Sequence, residues 1–232
     1  MKLRRTDVTH FIALALFVLA TAILSAPPGR AQFLHPKVSA KQTTIRKVFI
    51  MPAKVDVVRD SMKGPEGMGA ESEELSVRVA RLVAAALASK NVAALNAGSE
   101  SGEVAAEQKY SLADIQSRYD DLLPKIAKKR KDVKKGRFTM GDEVLNLNLD
   151  KSADAIVFIR GQGQKLTSGK KAFAVLVGGA PAYLQLSISI IDARSGEVLL
   201  YTDPLYVGDP TTAKDQSLLK QIDKSLKKLP AS

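Results

Sequence analysis

With 232 residues, 45% of them apolar and 25% charged, the chain is long enough for one α/β domain with a buried core, and disorder throughout is excluded. It contains no cysteine, which removes disulfides, thiol catalysis, thiolate metal sites and a lipid-modified cysteine together. A formal net charge of +11 points to anionic partners rather than cationic ones.

Lys2, Arg4 and Arg5 precede an apolar run from Phe11 to Leu24, and Gly29-Arg30-Ala31 places small residues at both key positions of a cleavage site. This is the layout of a secretory signal peptide removed near Ala31. The run is shorter than the ~20 residues a spanning helix needs, which disfavours the alternative, a retained anchor. An exported chain without disulfides suits a bacterial periplasm or secretion from such a cell. Of the two histidines, His10 lies in the signal segment and His35 in a polar lead-in over residues 32–44 that shows no periodicity and is expected to be a linker.

The folded part is expected over residues 45–229 as a single α/β (α+β) domain: one mixed sheet with helices packed on it, a helical insertion at about 96–137, and a C-terminal hairpin followed by a helix. Val48 to Met51 makes a first buried strand ended by Pro52, and Val55 to Val58 extends it past a bend. Gly64, Pro65, Gly67 and Gly69 form a loop. Glu71, Glu73 and Glu74 then open a helix whose inner face is Leu75, Val79, Leu82, Val83, Ala86 and Leu87. Val92 to Leu95 is a short strand. A helix follows from Ser111, with Leu112, Ile115, Tyr119, Leu122, Leu123 and Ile126 on one stripe and a kink or break expected at Pro124. Thr139 with Asp142 predicts a shorter helix through Val144, Leu145 and Leu147.

Ile156 to Ile159 is an unbroken apolar run, the pattern of a strand covered on both faces, whereas Leu184, Leu186, Ile188 and Ile190 alternate with Gln185, Ser187 and Ser189 and leave one face wet. Asp192 to Gly196 supplies a hairpin turn before Val198 to Tyr201 returns. Asp209-Pro210 is expected to cap and start a last helix with Leu218, Leu219, Ile222 and Leu226 facing inward.

The strand Val48 to Pro52, the Ala153-Asp154-Ala155 entry into the strand ending at Gly161, and the aspartate-to-glycine hairpin within Ile191 to Val198 together resemble the CsgG and TolB amino-terminal family of periplasmic α/β envelope proteins. The resemblance implies an exported, non-enzymatic role as an accessory or binding component of envelope assembly or export, with other envelope proteins or further copies of the chain as partners. Two features depart from the family pattern: a long insertion between Asn96 and Arg137, and the missing anchoring cysteine.

Residues 125–137 hold eight basic side chains, Lys125, Lys128, Lys129, Arg130, Lys131, Lys134, Lys135 and Arg137, against one acid, Asp132. Without residues 1–31 the chain carries 31 bases and 23 acids, so nearly all of its excess sits in this one segment. Such a patch suits lipid head groups or an anionic cell-wall polymer, and equally a solvated helix end whose cations meet the C-terminal dipole. Nucleic acid is disfavoured: export separates the two, and the run has no aromatic side chain to stack on bases. The apolar stretch Ala172 to Leu184 is expected to be a core strand with a turn. If it is instead an assembly or membrane-touching segment, it presents Ala172, Phe173, Val175, Leu176, Val177 and Tyr183.

Gly161-Gln162-Gly163 starts like a phosphate loop but has Leu166 in place of the third glycine, so it is expected to relieve a strand or form a bulge. No histidine remains in the domain to serve a nucleophilic serine, and no Gly-x-Ser-x-Gly elbow occurs. Neighbouring acids such as Asp120-Asp121 diverge on a helix. A carboxylate-dependent hydrolase would need acids brought together from distant loops, for instance Asp154 with Asp192. No cofactor is expected.

Overall fold

The computed structural model describes residues 32–96, 106–141, 144, 153–177 and 181–230. The signal segment, most of the Thr139–Leu147 helix expectation and residues 178–180 lie outside them. The strands are β1 (Gln32–Leu34), β2 (Lys47–Ile50), β3 (Lys54–Ser61), β4 (Gly64–Gly67), β5 (Ala93–Asn96), β6 (Ala155–Leu166), β7 (Tyr183–Asp192), β8 (Val198–Thr202) and β9 (Leu205–Val207). The helices are α1 (Pro36–Ser39), α2 (Gly69–Ala88), α3 (Ala106–Lys128), a 3-10 helix over Arg130–Lys135, α4 (Ser168–Val177) and α5 (Asp215–Ser225).

All of the strands join one mixed sheet with the central order β1-β8-β7-β6-β2-β5. The long β6 organises it. Its start pairs in parallel with β2 (Val48 with Ala155), and its continuation pairs in parallel with β3 (Lys54 with Arg160), so β2 and β3 run along one neighbour past the bend at Pro52. On its other side β6 pairs antiparallel with the whole of β7, from Ala155–Asp192 to Gln164–Tyr183. The hairpin into β8 closes as its residues dictate: Asp192 Oδ1 accepts from the amides of Arg194 (2.9 Å) and Ser195 (2.8 Å), and Gly196 sits at φ +68°.

Alternation splits the core between the two sheet faces. Val48, Ile50, Val55, Val57, Val157, Ile159, Leu184, Leu186, Ile188 and Ile190 point to one face, where α2 and α5 contribute Leu75, Val79, Val83, Leu87, Leu218 and Ile222. Arg78 and Arg81 of α2 both pair with Asp215 of α5, at 2.5 and 2.7 Å, tying the two helices together. On the opposite face Ile156 and Phe158 are fully buried. There the Tyr119 ring of α3 stacks on Phe158 with centroids 4.3 Å apart, and its hydroxyl donates to Ser189 Oγ at 2.8 Å.

Several expectations need correction. Residues 32–44 are no linker: β1 pairs with β8 (Phe33 with Tyr201), His35 N–H donates to Leu199 O at 2.8 Å, and from Gln32 onward the chain is one compact unit. A three-residue strand carries no periodicity, and its partner lies some 170 positions away, so nothing local announces it. The Gly64–Gly67 loop is a strand on β3 with Pro65 at its edge, where a missing N–H costs no ladder bond. Helix α3 runs through Pro124 without ending. Asp209 caps only the turn at Thr211 (2.9 Å to its amide), and the last helix begins at Asp215 after Lys214.

The polar side of β7 is wet only in part. Ser189 is buried under α3, whereas Gln185 and Ser187 are half-buried at the end the helix leaves open. The glycines of Gly161-Gln162-Gly163 form neither a phosphate loop nor a bulge, since pairing with β3 and β7 continues across them without a shift. A Cβ on Gly161 would lie 2.7 Å from Leu186 Cδ2 and 3.1 Å from Val55, so close packing on the α2 face explains the residue.

Candidate binding site

The basic run sits on a fixed support. Lys125 and Lys128 close α3 and the 3-10 helix follows at once, held by the buried side chains of Ile126 and Val133. Four of the eight cations are engaged within the molecule. Arg130 pairs with Asp203, whose carboxyl is pushed up by burial, with Arg130 opposing. Lys134 Nζ lies 5.6 Å from the centre of the Phe33 ring. Lys135 and Arg137 share Asp132, at 3.4 and 3.8 Å. Lys125, Lys128, Lys129 and Lys131 are exposed and have no partner among the described residues. Asp132 and Asp203 offset only two of the eight charges, while half of the cations are held by internal contacts.

His35 braces this segment from beneath. It is 4% exposed, and its Nδ1 accepts from the Lys37 amide at 3.2 Å. Its Nε2 faces Gly136, the left-handed residue (φ +63°) that ends the 3-10 helix, where a Cβ would come within 2.5 Å of that nitrogen. Burial holds the imidazole below its usual pKa, with Glu197 pulling the other way. The hydrogen bond from Lys37 (2.5 Å) holds the Glu197 carboxyl low in turn.

The apolar stretch behaves differently from the core strand expected. Ala172, Phe173, Val175, Leu176 and Val177 all belong to α4, and Phe173 and Leu176 are 49% and 83% exposed. Tyr183 is not part of this surface: it begins β7, half-buried, opposite Gln164 and Val207. No helix among the described residues is long and apolar enough to cross a membrane.

Where α3 lifts off the sheet, a cleft of about 460 Å³ opens, lined by Lys54, Asp56, Asp120, Leu123, Arg160 and Gln162 among others. No periodicity in the sequence singles it out. Its only local signal is Arg160 itself, a cation directly after the apolar run of the central strand. The carboxylates once considered as a catalytic pair are occupied elsewhere. Asp154 Oδ2 accepts from the amides of Arg46 (2.9 Å) and Lys47 (3.0 Å), and Asp192 caps its own turn. Among the described residues no cluster of three or more histidines, cysteines or acids is placed to hold a metal ion.

No family model matches the sequence, and no curated protein matches it. Solved structures give low-scoring likenesses. The PelC dodecamer from Paraburkholderia phytofirmans aligns at 11% identity and a TM-score of 0.43, covering 87% of this chain and 96% of that one. A point variant of the same protein gives 11% and 0.42, over 80% and 88%. Lipoprotein GNA1162 from Neisseria meningitidis gives 10% and 0.36, over 78% and 94%.

Proposed function

We propose that this chain is an exported, non-catalytic binding protein of the cell envelope that docks on an anionic surface through the junction of α3 and the 3-10 helix. The observation that carries this is the exposure, on a turn anchored by the buried Ile126 and Val133, of Lys125, Lys128, Lys129 and Lys131 with no partner among the described residues. A helix end needs cations only in its last turn, and Lys129 and Lys131 lie beyond it. Each lysine near an anionic membrane contributes about 1 kcal/mol, so replacing all four with glutamine should lower partitioning onto phosphatidylserine-containing vesicles or cell-wall material at least ~10-fold. Screening over ~8 Å at physiological ionic strength means that the wild-type retention should also fade as salt rises. Salt-independent retention, or a quadruple variant that binds as before, would overturn the proposal.

A second reading, self-association through α4, is favoured by one observation: Phe173 and Leu176, one turn apart, are both offered to solvent. The dodecameric form reported for PelC shows the kind of assembly meant, without bearing on this chain's own. Light scattering should then show an oligomer that Phe173→Ser with Leu176→Ser dissociates; a wild-type protein monomeric at every concentration would remove this reading.

A further inference from the structure

Large apolar side chains left in water are few, and they are unevenly spread. Among the described residues they are Val58, Met62, Val77, Phe173, Leu176 and Val207. Val77 stands apart on α2, and the other five gather at the end of the sheet where β6 finishes and β7 begins. Register places Val58, Gln164, Tyr183 and Val207 in one row across β3, β6, β7 and β9, about 14 Å from first to last. Met62 is in the turn from β3 to β4. The start of α4 is tied to the same end of β3: Thr167 N–H donates to Asp60 O at 3.1 Å, and Lys170 Nζ lies 3.3 Å from Asp60 Oδ1. Phe173 and Leu176, three positions apart, share one face of that helix.

A patch of this kind marks a protein or a membrane contact, and its form favours the second. Leu176 is 83%, Met62 67% and Val207 60% exposed, so these side chains stand out from the surface rather than line a groove. A folded partner would need a pocket for each, whereas a fluid lipid layer takes protruding apolar groups as they come. Charge agrees. Asp60 is taken by Lys170 and Glu66 stands opposite Arg59 in register, while Lys63 and Lys171 are exposed with no partner among the described residues. Cations beside an apolar protrusion suit the anionic head groups around it. The row also shares a side of the sheet with the lysine-bearing α3: Gln164 is an even six positions along β6 from Phe158, on which Tyr119 of α3 packs.

We propose that this end of the protein enters a lipid bilayer at the head-group boundary, with Phe173 and Leu176 as the inserted side chains and Lys63 and Lys171 on the lipid phosphates. The inference rests on the docking reading above and deepens it, because it names the anionic surface as a membrane rather than a cell-wall polymer. The lysines at the α3 junction bring the protein to the surface, and the apolar end then holds it there. Even a whole myristoyl chain gives only marginal attachment. Two apolar side chains are fewer still, so they do not hold the protein once salt has screened the lysines.

The chain has no tryptophan, so Phe173→Trp supplies a single fluorescent reporter at an exposed position. On vesicles of phosphatidylcholine and phosphatidylserine at low ionic strength, its emission should shift to the blue and be quenched when the acyl chains carry bromine. Phe173→Ser with Leu176→Ser should lower partitioning onto the same vesicles at least ~10-fold, the effect expected when burial of a large apolar side chain is lost. Val77→Ser, exposed on the helix that covers the opposite face, should leave it unchanged. Three results would overturn the membrane assignment and leave the lysine docking standing: a bound protein whose indole is neither shifted nor quenched, a double-serine variant that partitions like the wild type, or retention on cell-wall material but not on vesicles. A blue shift that appears without vesicles as the protein is concentrated would overturn it in favour of a second copy of the chain. Failure of the wild type to bind either surface would overturn both readings.

Discussion

His35 links acidity to stability. Burial depresses its pKa below the 6.5 of a free imidazole, so the unfolded chain takes up this proton before the folded chain does. The stabilisation is complete above about pH 6.5 and is lost progressively as the pH falls towards the lower folded value. The groups that bear on the ring are Lys37, which opposes its protonation, and Glu197 and Asp192, which favour it. Glu197 is itself held below 4.5, and its contribution fades only in more acidic solution. Melting temperatures measured from pH 7 to pH 5 should therefore fall for the wild type. In His35→Asn, where a side-chain oxygen still accepts from the Lys37 amide but nothing titrates in that window, they should stay flat. An unchanged slope in the variant would show that His35 is not the sensor.

Helix α3 is attached to the sheet through a polar contact inside an apolar one. Tyr119 is fully buried, stacked on Phe158 and bonded to Ser189, and burial drives its phenol well above the usual range. Tyr119→Phe keeps the stack and strands the Ser189 hydroxyl, which should cost about 1–3 kcal/mol in a denaturant titration. A neutral result would mean that Ser189 finds another partner. Legibility in the sequence follows the same division between local and distant causes. The stripes of α2 and α3, the doubly covered run of β6 and the Asp192–Gly196 hairpin were readable because each carries its cause within a few residues. The nature of α4 was not: Ala172 to Val177 is apolar enough for a core strand, and the cap-type residues Thr167 and Ser168 that open the helix stand ahead of this run, beyond Lys170 and Lys171. The cleft was hidden for a related reason, because Lys54, Arg160 and Ser187 are brought into one row only by strand register.

Among the described residues, one face of the sheet is covered by α2 and α5 and the other only in part by α3, whose C-terminal end both carries the basic run and borders the open cleft. The free side of β3 is closed by another means. The amides of Val55 and Val57 point away from β6 and are taken at 2.9 Å by the hydroxyls of Ser76 and Ser72 on α2, which in turn donate to carbonyls of their own helix at 2.7 Å. An open row of amides is what a foreign strand needs in order to add to a sheet and propagate as a cross-β fibre. Two serine hydroxyls, on the inward stripe of α2 beside Leu75 and Val79, remove that template and leave another copy of the chain no open amides to pair with at this edge.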